Sequence, residues 1–182
     1  VHQPVGDFVG AWKDMEKAVK MGKVRALGIS NFDANEEVWN TIMKEATIKP
    51  QVLQIECHPY AQRLEMHEKA AREGIQVECW FPLGGAMSNG ALFKDPVIKK
   101  IAEAHGKTPA QVILRWHIQE GFSVIPGASN PDYIKENIQI FDFALTDEEM
   151  QQIRSLNKEK RFFNATLEDV ETVSYTHLRA HE

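Results

Sequence analysis

Val52-Leu-Gln-Ile-Glu-Cys57 and Gln76-Val-Glu-Cys-Trp-Phe81 are two apolar runs of strand length, and the stretch between them reads as a helix. Working outward, Arg25-Ala-Leu-Gly-Ile-Ser30 precedes this unit and Phe122-Ser-Val-Ile-Pro126 follows it. Several of these runs carry β-branched or aromatic residues, which favour a pleated, half-buried surface. Strands that alternate with helices argue for a parallel sheet of βα units. The alternation alone fits an open sheet and a closed barrel equally. An open doubly wound sheet would want a Gly-rich phosphate turn after its first strand, and no Gly-x-Gly-x-x-Gly occurs.

The helices announce their ends. Trp12, Met15 and Val19 share one face by i, i+3, i+7 spacing, and Gly22 stops that helix, with Lys20 and Lys23 suited to its negative end. Asp95-Pro96 and Asn130-Pro131 each place a capping side chain before a proline at the first helical position. Thr108-Pro-Ala-Gln111 and Thr146-Asp-Glu-Glu149 are capping boxes, the second opening a helix with Met150, Ile153 and Leu156 on one side.

The chain has 182 residues, 43% of them apolar and 26% charged, with a formal net charge of −5. That is the profile of one soluble globular domain, with no electrostatic reason to seek nucleic acid or an anionic membrane. No apolar run is long enough to span a bilayer, and Val1-His2-Gln3-Pro4 does not start a signal peptide. Without an initiator Met, the chain is expected to begin inside something longer. Its two cysteines, Cys57 and Cys79, read as half-buried free thiols of a reducing, cytoplasmic compartment; two thiols give no metal-ligand framework, so no metal is expected. Residues 1–172 read as one domain. Residues 173–182 follow no helical period and read as a tail foreign to it.

The ends of the apolar runs hold the informative residues: Gly28-Ile-Ser-Asn-Phe32, Gln54-Ile-Glu-Cys-His-Pro-Tyr60, Trp80-Phe-Pro-Leu-Gly84, and Val124-Ile-Pro-Gly-Ala-Ser-Asn-Pro131 followed by Glu136-Asn137. In this order the series resembles the second half of the aldo-keto reductase family. Thr108-Pro-Ala-Gln-Val-Ile-Leu-Arg-Trp116 and the opening His2-Gln-Pro resemble further stretches of it, over about residues 1–170. The resemblance implies an incomplete (β/α)8 TIM barrel, running from the end of the fourth strand through the eighth strand and the C-terminal helices. Barrels of this kind gather their functional residues at the C-terminal ends of strands.

The resemblance also implies chemistry: reduction of an aldehyde or ketone to an alcohol with hydride from NADP(H). It places Ser30, Asn31 and Gln54 on the nicotinamide amide and gives Trp80 the stacking position, with Pro82 and Leu83 beside it. It places Ser129, Asn130, Glu136 and Asn137 around the adenosine end, and gives His2 the position of a catalytic histidine. For Asn31, helix capping explains the residue as well as cofactor binding does. Gly127-Ala128 and Tyr133 stand where many relatives have a Lys-Ser pair and an Arg, which leaves NAD(H) as the alternative cofactor. The Tyr, Lys and Asp that complete the family's catalytic set belong to strands outside this sequence. Tyr60, Tyr175, His58, His67, His105 and His117 are assigned no catalysis. The fragment is therefore expected to be inactive alone and to self-associate through open strand edges, its parent being a monomer acting on a small carbonyl substrate. The alternative is a non-catalytic nucleotide-binding or structural member of the same fold. Phe162 and Phe163 are candidates for an apolar pocket wall.

Overall fold

The computed structural model describes residues 1–33 and 35–164. The expected tail at 173–182, the last residues of the domain expected to end at 172, and Tyr175 all lie outside them. The described chain is α/β. Strands β1 (Gly28–Ser30), β2 (Val52–Glu56), β3 (Gln76–Trp80) and β4 (Ser123–Val124) form one sheet in the order β1-β2-β3-β4. β1 pairs with β2 in parallel, Ser30 opposite Gln54, and β3 pairs with β4 in parallel, Cys79 opposite Val124.

Each strand is shorter than the apolar run that predicts it. The Leu27 N–H donates to the side-chain oxygen of Gln51 at 2.7 Å, so the β1 ladder begins one residue later. After β4 the Ile125 N–H still donates to the Cys79 carbonyl, but Pro126 has no N–H to continue.

The chain divides into two compact units, Val1–Ile55 with Glu68–Val77, and Glu56–His67 with Glu78–Phe163. In the first, α1 (Phe8–Lys20) starts at Asp7, whose carboxylate accepts from the Gly10 N–H, and ends before Gly22, which takes the left-handed φ of 71°. Its buried face holds Trp12 and, unexpectedly, Glu16. Glu16 Oε1 accepts from Trp12 Nε1 (3.1 Å) and from the N–H groups of Thr47 (2.7 Å) and Ile48 (2.9 Å). This ties α1 to the loop after α2 (Glu36–Glu45). Burial raises the Glu16 pKa, but these donors and Lys13 outweigh it and hold the carboxyl below its ordinary value.

The second unit takes the end of α3 nearest the loop (α3 spans Leu64–Arg72), a 3-10 turn at Ala86–Ser88, and α4 (Ala91–Lys94) through α8 (Asp147–Arg154). Its core packs Leu92, Ile98, Ile101, Val112, Trp116 and Ile153 from α4, α5 (Pro96–His105), α6 (Pro109–Gln119) and α8. All four predicted caps form. Asp95 accepts from the N–H groups of Val97 and Ile98, Asn130 from that of Asp132, and Thr108 and Thr146 close reciprocal capping boxes. The last helix stops at Arg154, so Leu156 lies beyond it while still packing on the core. Cys57 and Cys79 are fully buried, not half-buried, with His117 of α6 within 4.8 Å of both sulfurs.

Candidate functional site

At the strand ends of the first unit, four of the residues singled out in the sequence meet. Val1 donates to the Gly28 carbonyl (2.7 Å) and accepts from the Ser30 N–H (2.9 Å), so the segment before His2 runs beside β1 in ladder fashion. Ser30 is buried and lies opposite Gln54, whose carbonyl accepts from the Asn31 N–H at 3.0 Å. The Asn31 side-chain amide donates to Ser30 Oγ (3.2 Å) and reaches the His2 carbonyl at 3.4 Å. Asn31 takes φ 61°, a left-handed value that asparagine tolerates better than most residues. It does not cap α2: that role belongs to Asn35, whose side chain accepts from the Glu37 N–H at 2.6 Å. The capping explanation for Asn31 is thereby removed.

In the second unit, Trp80 ends β3, with its ring edge-on to Phe81 (4.8 Å between centroids) and to Phe163 (5.6 Å). Phe163 is held by Glu56, a fully buried carboxylate that the sequence reading passed over. Glu56 Oε1 accepts from the N–H groups of Phe162 (2.7 Å) and Phe163 (3.2 Å) and lies 3.2 Å from His58 Nε2; Oε2 accepts from Arg161 Nε (2.9 Å). Burial alone raises its pKa, but the donors from His58, Arg161, Phe162 and Phe163 prevail and the carboxyl lies below its ordinary value. Such a clamp is what a charge inside an apolar strand requires, since an unpaired buried carboxylate is costly. The signal was present in the acidic residue of Gln54-Ile-Glu-Cys57; its partners, about a hundred residues away in sequence, were not.

The same unit contains an open cavity of about 560 Å³. Leu83, Ala86, Phe93 and Pro109 supply apolar walls, and Glu136 and Asn137 polar ones. Gly127, Ala128 and the largely exposed ring of Tyr133 complete much of the rim. Glu136 is fixed by Thr108, whose hydroxyl donates to its carboxylate at 2.5 Å. Gly85, also on the wall, takes φ 59°, and a Cβ there would lie 2.8 Å from the Phe81 ring, so the turn demands glycine. Leu83, Glu136 and Asn137 are thus brought to one cavity. Ser129 and Asn130 are exposed and do not line it, and the Asn130 side-chain oxygen is spent on the α7 (Pro131–Ile138) cap. Pro82 is buried behind Leu83 in sequence.

Tyr60, His58, His105 and His67 are engaged structurally. The Tyr60 hydroxyl donates to Asp95 Oδ2 at 2.6 Å, and burial together with that carboxylate pushes its pKa up to about 12. A phenol so held is a poor proton donor near neutrality. His58 accepts from the Tyr60 N–H at Nδ1, so its Nε2 carries the proton that Glu56 receives. His105 pairs with Glu149 at 2.9 Å. His67 stacks on Phe122.

Cys57, Cys79 and His117 come within 4.8 Å of one another, a grouping that the two isolated thiols did not foretell. His117 Nδ1 lies 2.8 Å from the Ile113 carbonyl and Nε2 3.1 Å from the Cys57 carbonyl, so both ring nitrogens already face acceptors. Burial raises both thiol pKa values. At Cys57 the hydrogen bonds from Cys79, His117 and His67 prevail and lower it, whereas the neighbouring Cys57 raises Cys79 further. The polar atoms of the cluster are engaged with one another, with His67 and with the carbonyls of Ile113 and Gln62, and we assign it to packing.

Comparison with known proteins accords with the strand-end motifs. The sequence pattern of the aldo/keto reductase family matches residues 1–158. An aldo-keto reductase of Mycolicibacterium smegmatis is 43% identical over 164 residues, 88% of this chain and 58% of that protein. Glyoxal reductase of Bacillus subtilis is 41% identical over 162 residues, 88% of this chain and 56% of that protein. The chain therefore spans little more than half the length of these relatives. Among solved structures, an aldo-keto reductase from a Medee basin deep-sea metagenome library superposes with a TM-score of 0.85 at 34% identity, covering 90% of this chain and 60% of that one. A mutant of Gox0644 crystallised in complex with NADPH superposes at 0.84 and 37% identity, covering 92% and 61%. The four strands are thus a stretch of the (β/α) barrel of these proteins, and the chain belongs to the aldo/keto reductase family.

Proposed function

We propose that this chain serves an oxidoreductase of the aldo/keto reductase type, which reduces an aldehyde or ketone to an alcohol with hydride from NAD(P)H, and that its own residues serve chiefly to bind the dinucleotide. The observation that carries this reading is the cavity of the second unit, which Leu83, Glu136 and Asn137 all line, three of the positions that the family resemblance assigns to the cofactor. Its apolar walls suit a purine face, and its two polar side chains suit the purine edge or ribose hydroxyls. On the first unit, Ser30, Asn31 and Gln54 bring the polar groups that a carboxamide needs. On the second, Trp80 offers an aromatic ring set edge-on to Phe163. When bound, the cofactor supplies hydride; the protein binds, orients and excludes water. His2, beside Asn31, is the residue of this chain proposed to orient the carbonyl.

The chain alone is proposed to bind nucleotide without turnover: of the family's four catalytic positions the resemblance finds only His2 here, and the Tyr60 hydroxyl is bound to Asp95 and does not stand in for the acid. The test is a titration of the folded chain with NADPH and with NADH while tryptophan fluorescence is followed. Saturable quenching that is lost in Trp80→Phe is the expected result. No quenching and no heat of binding with either nucleotide would remove the proposal. Glyoxal, the carbonyl named for the Bacillus subtilis relative, is the turnover probe. Reduction of glyoxal by this chain alone would overturn the inactive reading.

A further inference from the structure

The cavity of the second unit carries a charge signature of its own. Among the described residues that line it there is no lysine or arginine, and Glu136 is the one carboxylate. Glu136 is not a mobile surface acid: its carboxylate is held by the Thr108 hydroxyl, and its backbone carbonyl accepts from Gln111 Nε2 at 3.3 Å. Basic residues next to the wall in sequence are engaged elsewhere. Lys107 is bound by both oxygens of Asp142, and Lys94 donates to the Asn89 carbonyl. On α7, exposed Lys135 stands between two acids, Asp132 and Glu136.

We infer that this cavity selects a nucleotide whose adenosine ribose bears free hydroxyls and rejects one phosphorylated at the 2′ position, so that the cofactor is NADH in preference to NADPH. The inference rests on the adenosine reading of the cavity given above. A carboxylate is a good acceptor for a ribose hydroxyl, since a neutral donor meets an ionised acceptor. A phosphate of charge near −2 placed in the same cavity meets Glu136 with no lining cation to offset it, and a like charge at such range in a half-open pocket disfavours binding. Apolar walls strengthen the effect by thinning the screening solvent. The backbone supports a converse experiment: a Cβ on Gly127 would meet nothing within 4 Å, and its φ is not left-handed, so a side chain can be added there without strain.

The test compares adenosine 5′-diphosphate with adenosine 2′,5′-bisphosphate by calorimetric titration of the folded chain. The diphosphate is expected to bind tighter by roughly tenfold or more at low salt. Gly127→Lys, which supplies the missing cation, is expected to bring the bisphosphate level with or ahead of the diphosphate. Glu136→Gln is expected to narrow the gap from the other side. Equal or tighter binding of the bisphosphate by the unaltered chain overturns the inference and leaves the adenosine reading intact. Binding of neither ligand, by a chain that melts cooperatively, overturns the adenosine reading and the inference with it.

Discussion

Glu56 shows how one residue can hold a distant part of its chain. Its two oxygens gather Arg161 and the backbone of Phe162 and Phe163, and the Phe163 ring in turn meets Trp80. Glu56→Gln keeps the shape but gives up the charge that the Arg161 guanidinium faces. We expect a loss of about 1–3 kcal/mol, read as a lower denaturant midpoint, because a buried charge-assisted contact is lost while Arg161 stays partly solvated. The pH dependence has a definite sign. The folded-state pKa of Glu56 lies below its ordinary 4.5, so its contribution is complete above that value and fades as pH falls through the folded-state pKa. The Gln variant should lose less stability than the parent chain between pH 5 and about pH 3. An identical acid slope in both proteins would show that Glu56 is not the titrating group.

Elements were legible in the sequence where their cause is local. The caps at Asp95, Thr108, Asn130 and Thr146 depend on residues two or three positions apart, and all four form as the sequence implies. What depends on remote partners was not legible. The short β4, the burial of Glu16 and Glu56, and the approach of His117 to Cys57 and Cys79 each arise from residues that pack together only in the fold. The candidate site divides the same way. Ser30, Asn31 and Gln54 are named by the family resemblance of their strand-end motifs, whereas nothing in the sequence names the wall contributed by Phe93 and Pro109. Thr108 links the two levels, since its hydroxyl accepts from the Gln111 N–H and donates to Glu136. Thr108→Ala should cost about 1–2 kcal/mol, more than a simple cap, because both bonds go. Thr108→Ser, which keeps the hydroxyl, should recover most of it in a thermal melt. Equal losses in the two variants would assign the cost to the methyl group.

At the scale of the whole molecule, the sheet of the described residues has four strands, with β4 at one end. Backbone groups on an unpaired strand edge are a template for pairing with another chain. The 182-residue chain by itself is therefore expected to self-associate, with a sedimentation coefficient that rises with protein concentration. A concentration-independent, two-state melt from a monomer is the result that counts against this. No helix of the described residues is long and apolar enough to cross a membrane.

The sealed thiols of Cys57 and Cys79 have a practical consequence. Neither sulfur presents surface to solvent, so an alkylating reagent can reach them only when the second unit opens. The chain thus contains its own clock for that opening. In native buffer, iodoacetamide should modify both cysteines slowly and together, at a rate set by how often the unit opens, and urea should accelerate the two in step. If one sulfur reacted promptly in the folded chain, that strand end would be far looser than its packing indicates. Read by mass spectrometry, the same clock would report whether bound nucleotide keeps the second unit closed, without any measurement of catalysis.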